Sequence, residues 1–289
     1  MRSSPCASGA GRGSPESSSG CKAVRAGCGR QFAFTGKTEI MNDVFLRRES
    51  AREQAFAPIW SNELDDVFAD VAAYYDRANT FATLGLIDRI RERFLATIEV
   101  EAGQRLLDVC AGTNVIGINL MRRQPGLEVF AADRSAAMQA VGRDLAGRHG
   151  LRIDSTICDV HHLPFPDNHF DVVTLQYASR HLRVVRVFSE VHRVLRPGGR
   201  FYHCDMLRPA GRLTEELYCA YLKVCLAVVS HAFRSNAAAM RCRDYFVEAI
   251  RMFYSTAELS DLLRGLGFTR IVGTSVLAGT VGFHRASKA

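Results

Sequence analysis

Aspartates at the ends of apolar runs are the residues of this chain best suited to holding a polar ligand. The first is Asp108, in Asp108-Val-Cys-Ala-Gly-Thr-Asn114, where the apolar run Arg105–Cys110 gives way to small turn residues. Asp133 closes the next run, Glu128–Asp133, and Asp159 follows a third, Ile153–Cys158. An acidic side chain at the end of a second strand can accept hydrogen bonds from both hydroxyls of a ribose, and Gly112 lets a ligand approach the backbone. Asp159 with the amide of Val160 has the groups to bind an adenine edge, or else serves as a strand-end cap. Arg180, in Tyr177-Ala-Ser-Arg-His181, carries an always-charged guanidinium suited to stabilising an anion, or else is one exposed cation among Arg183 and Arg186.

The GxGxxG set that makes room for a pyrophosphate is absent. The turn therefore favours a nucleoside without phosphates, of which S-adenosylmethionine is the common example, over a nicotinamide dinucleotide. Elements must place these residues together. Leu64, Val67, Phe68, Val71, Ala72 and Tyr75 recur at helical spacing, as do Leu86, Ile90, Phe94 and Leu95. From Arg105 onward, strands alternate with helices: Ser135–His149 and Leu182–Leu195 read as helices, Asp171–Tyr177 and Gly199–Met206 as strands. A helix over Thr256–Leu266 and short strands over Thr269–Ser275 and Val276–Arg285 close the chain. Such alternation predicts an α/β fold, a mostly parallel sheet covered by helices on both faces. Pro197-Gly198 reads as a turn, and Ser255-Thr-Ala-Glu258 as a capping box.

Composition narrows the function classes. With 47% apolar and 23% charged residues among 289, the chain is neither disordered throughout nor a coiled-coil rod. Of the net charge of +7, residues 1–40 supply more than half, through six basic residues against two acidic ones. The body is then too weakly basic to argue for nucleic acid, and no Asn/Asp-Pro-Pro-Tyr/Phe motif follows the fourth strand. Residues 1–40, rich in Ser, Gly and Arg, read as a disordered tail, as a mitochondrial transit peptide, or as sequence before a true start at Met41. The nine cysteines show no zinc spacing and read as reduced thiols, and His161-His162 has no partners at ligand spacing, so no metal is expected. No run is long enough to span a bilayer. These features suggest a cytoplasmic protein, or one of the mitochondrial matrix if the tail is a transit peptide.

Three further segments carry a resemblance: Leu163-Pro-Phe-Pro-Asp-Asn-His-Phe-Asp171, Arg193-Val-Leu-Arg-Pro-Gly-Gly199, and Asp108–Asn114 with Asp133. Together they resemble the class I S-adenosylmethionine-dependent methyltransferases. Tyr75-Asp76-Arg77-Ala78-Asn79, Arg180 and Gly279-Thr-Val-Gly-Phe-His284 look like marks of the ubiquinone/menaquinone C-methyltransferases within that superfamily. The resemblance covers about residues 64–288. It implies a Rossmann-like fold with a seven-stranded, mostly parallel sheet and an N-terminal helical lid over 41–100. The methyltransferase domain would be 101–289, with acceptor-side helices inserted at 211–250. It implies S-adenosylmethionine as cofactor, bound by Asp108, Gly112, Thr113, Asp133, Arg134, Asp159, Val160 and Gln176. Arg180 would stabilise a phenolate, and Tyr75, with Asn79, would line the acceptor pocket. The chain departs from the family's pattern at Asn114, in place of a glycine, where the side chain must fit beside the methionine part of the cofactor. Ile87, Ile90, Gln176 and Asp205-Met-Leu207 also differ, and Ile87, Ile90 and Gln176 are expected in the acceptor pocket.

The implied activity is methylation of a ring carbon of a prenylated benzoquinol or naphthoquinol. Methylation of another small apolar molecule stays open, as does a non-catalytic scaffold in a quinone-biosynthesis complex, which Asn114 would favour by closing the cofactor turn. Leu217–Phe233 reads as a helix apolar on most sides: a packing helix, a homodimer face, or a wall for a prenyl tail at a membrane surface, where Arg234, Arg241 and Arg243 would assist.

Overall fold

The computed structural model describes residues 36–232 and 243–289, and the expectation of a disordered or targeting tail falls almost wholly outside them. The strands are β1 (Arg105–Val109), β2 (Glu128–Asp133), β3 (Asp154–Ile157), β4 (Phe170–Gln176), β5 (Leu195–Met206), β6 (Phe268–Val276) and β7 (Val281–Lys288). They form one sheet in the order β3-β2-β1-β4-β5-β7-β6. Neighbours from β3 to β5 are parallel, and β7 runs antiparallel to both β5 and β6.

The central strands β1 and β4 are buried almost without interruption because helices cover both faces. Leu106, Val172 and Tyr202 pack on one face with Phe94, Ile116 and Leu120. On the other, Leu107, Val173 and Phe201 meet Phe188, Val191 and Leu262. These positions are fully buried or nearly so, and truncating one such Leu to Ala would cost about 2–5 kcal/mol. The helices responsible are α4 (Leu86–Thr97), α5 (Val115–Arg123), α6 (Ala136–Arg148), α7 (Val184–Val194) and, near the C-terminus, α10 (Thr256–Gly265). The Ser135 side chain caps α6 through Met138 N, and the Ser255–Glu258 capping box forms at the start of α10.

One boundary differs from the sequence reading. Pro197-Gly198 does not precede β5 but interrupts it: Leu195 pairs with Phe170, pairing resumes at Arg200 opposite Val172, and Gly198 takes φ +77°. A proline supplies no ladder donor, so the strand arches over it as an irregularity and recovers.

A roof of helices covers the carboxyl ends of the central strands. It begins with α1 (Gly36–Pro58), one π turn (Ile59–Glu63), α2 (Leu64–Val71) and α3 (Tyr75–Ala82). Pro58, lacking an N–H, stands where the helix changes to the wider turn. Phe56, Trp60, Leu64 and Val67 pack with Tyr245 and Ala249 of α9 (Arg243–Arg251), while Cys219 and Leu222 of α8 (Arg212–Ala232) pack with Val247 and Ile250 of the same helix. Helix α9 thus packs on the N-terminal helices through one apolar cluster and on α8 through another.

Candidate active site

The turn after β1 is built from left-handed residues. Cys110, Gly112 and Asn114 all have φ between 53° and 59°, a conformation that glycine and asparagine adopt most readily. A Cβ on Gly112 would also meet Met138 Cε at 3.3 Å. Asn114 does not enter the cleft. Its side chain is buried, its Oδ1 accepts from Gln139 Nε2 at 3.0 Å, and its amide packs on Gly142 of α6. The expectation that this side chain lies beside the cofactor is therefore corrected: helix α6 accommodates it because Gly142 has no Cβ.

Above the turn lies a cleft of about 1000 Å³ lined by Asp108, Gly112, Thr113, Asp133, Arg134 and Gln176 among others. Asp133 accepts from Gly112 N and Ser135 N, each at 2.8 Å, and so ties two loops together. Asp108 accepts from Thr174 Oγ1 at 2.7 Å. Burial nevertheless pushes its carboxyl up to about 7, so an arriving cation would find a carboxylate short of compensation. Thr113 donates to Asp76 at 2.7 Å, and Asp76 pairs with Arg91 at 3.3 Å. Arg91 also lines the cleft, and its Nε is buried without a partner. Arg134 reaches across to the Trp60 carbonyl at 2.7 Å and to Asp65 at 2.6 Å, latching α2 over the opening.

Asp159 and Val160 stand apart from the six cleft residues. The Asp159 carboxylate is turned to His161, accepting from its backbone N at 3.0 Å and meeting Nδ1 at 2.5 Å. Val160 is buried in the core. Neither is among the lining residues. Ile90 is likewise a core residue and not part of either cavity wall, which corrects its expected place in the acceptor pocket. Ile87, one turn earlier on the same helix, does line both cavities.

The second cavity, about 1270 Å³, lies under the roof and is walled mostly by apolar side chains, including Val67, Val71, Leu222, Leu226 and Ile250. Phe68, Tyr75, Asn79, Ile87 and Tyr177 belong to both cavities, so the two adjoin. Arg180 stands in the wall of the apolar one. Its Nη1 donates to Asp205 at 2.5 Å and to the Tyr177 carbonyl at 2.8 Å. Asp205 is itself fully buried and also accepts from Ser179 N and Met206 N, both at 2.7 Å. Burial raises the Tyr75 phenol above its ordinary value, although nearby Arg180 opposes the shift. His181 on the same turn is held far below the ordinary imidazole value by burial and by Arg180 and Arg52, so it is neutral.

Sequence reasoning missed Asp76 as a support for the cofactor turn and Arg91 as a cleft cation. Asp76 was visible within Tyr75-Asp76-Arg77-Ala78-Asn79. Arg91 stands one helical turn from Ile87, which puts both on one face of α4.

A cleft at the carboxyl ends of β1, β2 and β4, a glycine turn without pyrophosphate room and an acidic residue closing β2 define a class I S-adenosylmethionine-dependent methyltransferase. The residues fit that cofactor: a backbone cradle at Gly112, buried carboxylates at Asp108 and Asp133, and a cation at Arg91. The family model described as the ubiE/COQ5 methyltransferase family matches residues 58–288, and the chain belongs to that family. A ubiquinone/menaquinone biosynthesis C-methyltransferase of Azotobacter vinelandii is 32% identical over 79% of this chain and 90% of its own. A demethylmenaquinone methyltransferase of Clavibacter sepedonicus is 33% identical over 78% and 90%. Among solved structures, an S-adenosylmethionine-dependent methyltransferase of Thermotoga maritima, described as a possible histamine N-methyltransferase, shares the fold. It has a TM-score of 0.54 at 16% identity, covering 78% of this chain and 99% of that one. The chain is an enzyme, a methyltransferase, and S-adenosylmethionine is its methyl donor.

Proposed function

We propose that this enzyme methylates a ring carbon of a quinol bearing an apolar tail, a prenylated benzoquinol or naphthoquinol. The observation that carries the reading is the apolar cavity adjoining the cofactor cleft with a single buried guanidinium, that of Arg180, set in its wall. The two relatives named for quinone biosynthesis support it.

Bound S-adenosylmethionine would supply a methyl group on a sulfonium: as the ring carbon displaces it, the S–CH3 bond breaks, S-adenosylhomocysteine leaves, and the methylated carbon gives up its ring proton to solvent. The protein's share is to align donor and acceptor and to keep water out. Asp133 would take the ribose hydroxyls, with Gly112 giving the backbone approach. Asp108 would face the ammonium of the methionine part and Arg91 its carboxylate, while Thr113, held by Asp76, fixes the turn between them. Gln176 and Arg134 would close the remaining sides. A ring carbon becomes nucleophilic when the neighbouring hydroxyl loses its proton, and Arg180 would stabilise the phenolate so formed. Tyr75 and Asn79, at the junction of the cavities, would orient the ring. Asp159 and Val160 lie outside the cleft walls, so adenine binding there would require the Asp159 carboxylate to leave His161.

An apolar tail implies collection from a membrane surface by an otherwise cytoplasmic enzyme. Exposed Leu217, Tyr221, Val224 and Val228 run along one side of α8, whose other side lines the cavity through Leu222 and Leu226. Cys225 Sγ lies 3.4 Å from the Ala82 carbonyl, which brings this helix against the end of α3. Exposed Phe81 and Leu84 follow there. Among the described residues, no helix is long and apolar enough to cross a membrane, so the association would be peripheral.

The test is methyl transfer by the full chain from S-adenosylmethionine to reduced demethylated benzoquinol and naphthoquinol with short prenyl tails, read by mass spectrometry. A product carrying one extra methyl on the ring carbon, absent with Asp133→Ala, is the expected result. Calorimetric binding of the cofactor without methylation of either quinol would overturn the acceptor and leave another small apolar molecule, for which Ile87 in the cavity wall would be the specificity residue to vary.

A further inference from the structure

We infer that α1, which precedes the residues matched by the family model, is a strap that positions Arg180, and that Arg52 is its positioning residue. Arg52 is 0% exposed, the largest fully buried side chain among the described residues. Its guanidinium pairs with Glu49, lies 4.8 Å from the Phe253 ring centroid and 5.5 Å from that of Trp60, and donates from Nη2 to the carbonyl oxygen of Arg180 at 2.8 Å. Arg52 and Arg180 are far apart in sequence, so this contact belongs to the tertiary structure.

Neighbouring ties act on the same turn. Trp60 Nε1 donates to the Tyr245 hydroxyl at 2.8 Å, and that hydroxyl meets His181 Nδ1 at 2.6 Å. Glu53 pairs with Arg183 at 2.6 Å. Residues 180, 181 and 183 are thereby held from one side by α1 and the π turn, while Asp205 grips the Arg180 side chain and Ser179 N from the sheet. The turn that carries the anion-stabilising group is clamped between two layers.

The energetics favour positioning over stability as the role of this pair. Taking a guanidinium and a carboxylate out of water recovers little net stability even when they pair well, and apolar residues of similar volume often serve the fold equally. Among the described residues Arg52 Nε and Glu49 Oε2 have no partners, and Glu49 Oε1 is shared with the Tyr254 hydroxyl, which donates to it at 3.1 Å, so this pair is only partly satisfied as a stabilising network. Among the described residues, the long-range hydrogen bond of the Arg52 guanidinium is the one to the Arg180 carbonyl. Rigid support of this kind matters because small displacements of a catalytic group cost rate steeply.

The inference rests on the reading that Arg180 faces the acceptor, so the experiment includes Arg180→Lys alone. In the full chain, Arg52→Lys keeps the charge beside Glu49 but loses the two-armed reach to Arg180. It is expected to lower kcat about 10- to 100-fold with the acceptor KM and the cofactor Kd within about threefold, the signature of a lost transition-state contact. Added to Arg180→Lys, it should cost no more than about twofold further, because a misplaced guanidinium and an absent one are the same loss. Should Arg52→Lys not fold, Glu53→Gln at the half-exposed edge tests the same strap, with an expected loss of about two- to fivefold in kcat and an unchanged Tm. Full kcat in folded Arg52→Lys (or in Glu53→Gln where only that variant folds) overturns the strap, as does a fully additive double-variant loss or a parallel loss of cofactor affinity. Full kcat in Arg180→Lys instead overturns the reading of Arg180 itself.

Discussion

Asp108 makes cofactor binding a titration. Its buried carboxyl, raised to about 7, is largely protonated in the free enzyme at pH 6 and must lose that proton before it can face an ammonium group. Calorimetry should therefore show the Kd for S-adenosylmethionine rising by up to about tenfold per pH unit below 7, with proton release on binding. In Asp108→Asn the affinity should be weaker and nearly independent of pH between 5.5 and 8. A wild-type Kd flat over that range would place the carboxylate elsewhere than opposite the cofactor's ammonium. Asn114 carries a different lesson. In the sequence it stood as an obstacle to the cofactor, and only its contacts with Gln139 and Gly142 show the side chain pointing away.

Two helices of the roof carry separable, testable roles. Helix α2 is tied over the cleft by the Arg134–Asp65 pair, whose side chains are 43% and 44% exposed. An exposed pair contributes only about 0–1 kcal/mol, weak enough to release when the cofactor enters or leaves. Asp65→Asn should leave Tm within about 2 °C while stopped-flow dissociation of S-adenosylhomocysteine quickens about two- to fivefold. An unchanged off-rate would mean that α2 is not the gate. Helix α8 has an exposed apolar stripe, and its opposite side lines the apolar cavity proposed for the acceptor. Replacing Leu217 and Val224 by Ser should abolish flotation with phospholipid vesicles and slow methylation of a long-tailed quinol about tenfold, leaving a short-tailed one unaffected. Equal effects on both substrates would make the stripe a packing surface.

At the scale of the whole molecule, buried titratable groups pull stability in opposite directions. His284 is lowered by burial to about 4, and His203 beside it is held well below its ordinary value by burial and by His284. A depressed histidine contributes stability that is complete above the unfolded value of about 6.5 and is lost as pH falls, about 2 kcal/mol by pH 5 for His284 alone. Asp108, raised by burial, does the reverse: its contribution is complete below pH 3.8 and is lost as pH rises through about 7. Thermal melts should separate the two. The Tm of His284→Gln relative to the wild type should be more favourable at pH 5 than at pH 7.5, and that of Asp108→Asn less favourable. The same sign in both variants would show that these groups do not govern the pH dependence.

Local patterns made much of the fold legible. The alternation of apolar runs and helical spacing identified the strands and the helices on both faces, because period and turn chemistry are local properties. Asp108, Gly112 and Asp133, read from the turn and the end of the next strand, and Thr113, named through the resemblance, all line one cleft because that turn is one contiguous stretch. The β5 irregularity at Pro197-Gly198, the core place of Ile90 and the position of Asp159 beside His161 could not be read in advance, since each depends on what lies across a contact from another element. The same holds for the two-sided clamp on Arg180. The bonds from Arg52 and Asp205 join residues far apart in sequence, and their energies exist only once the sheet and the roof have closed. What the sequence determined by itself is the alternating α/β architecture with a turn suited to a nucleoside, through periodicity and spacing, and, through its resemblance, the methyltransferase family. Only the tertiary structure decided which side chains line the cleft and the adjoining apolar cavity, because facing is set by long-range packing and burial.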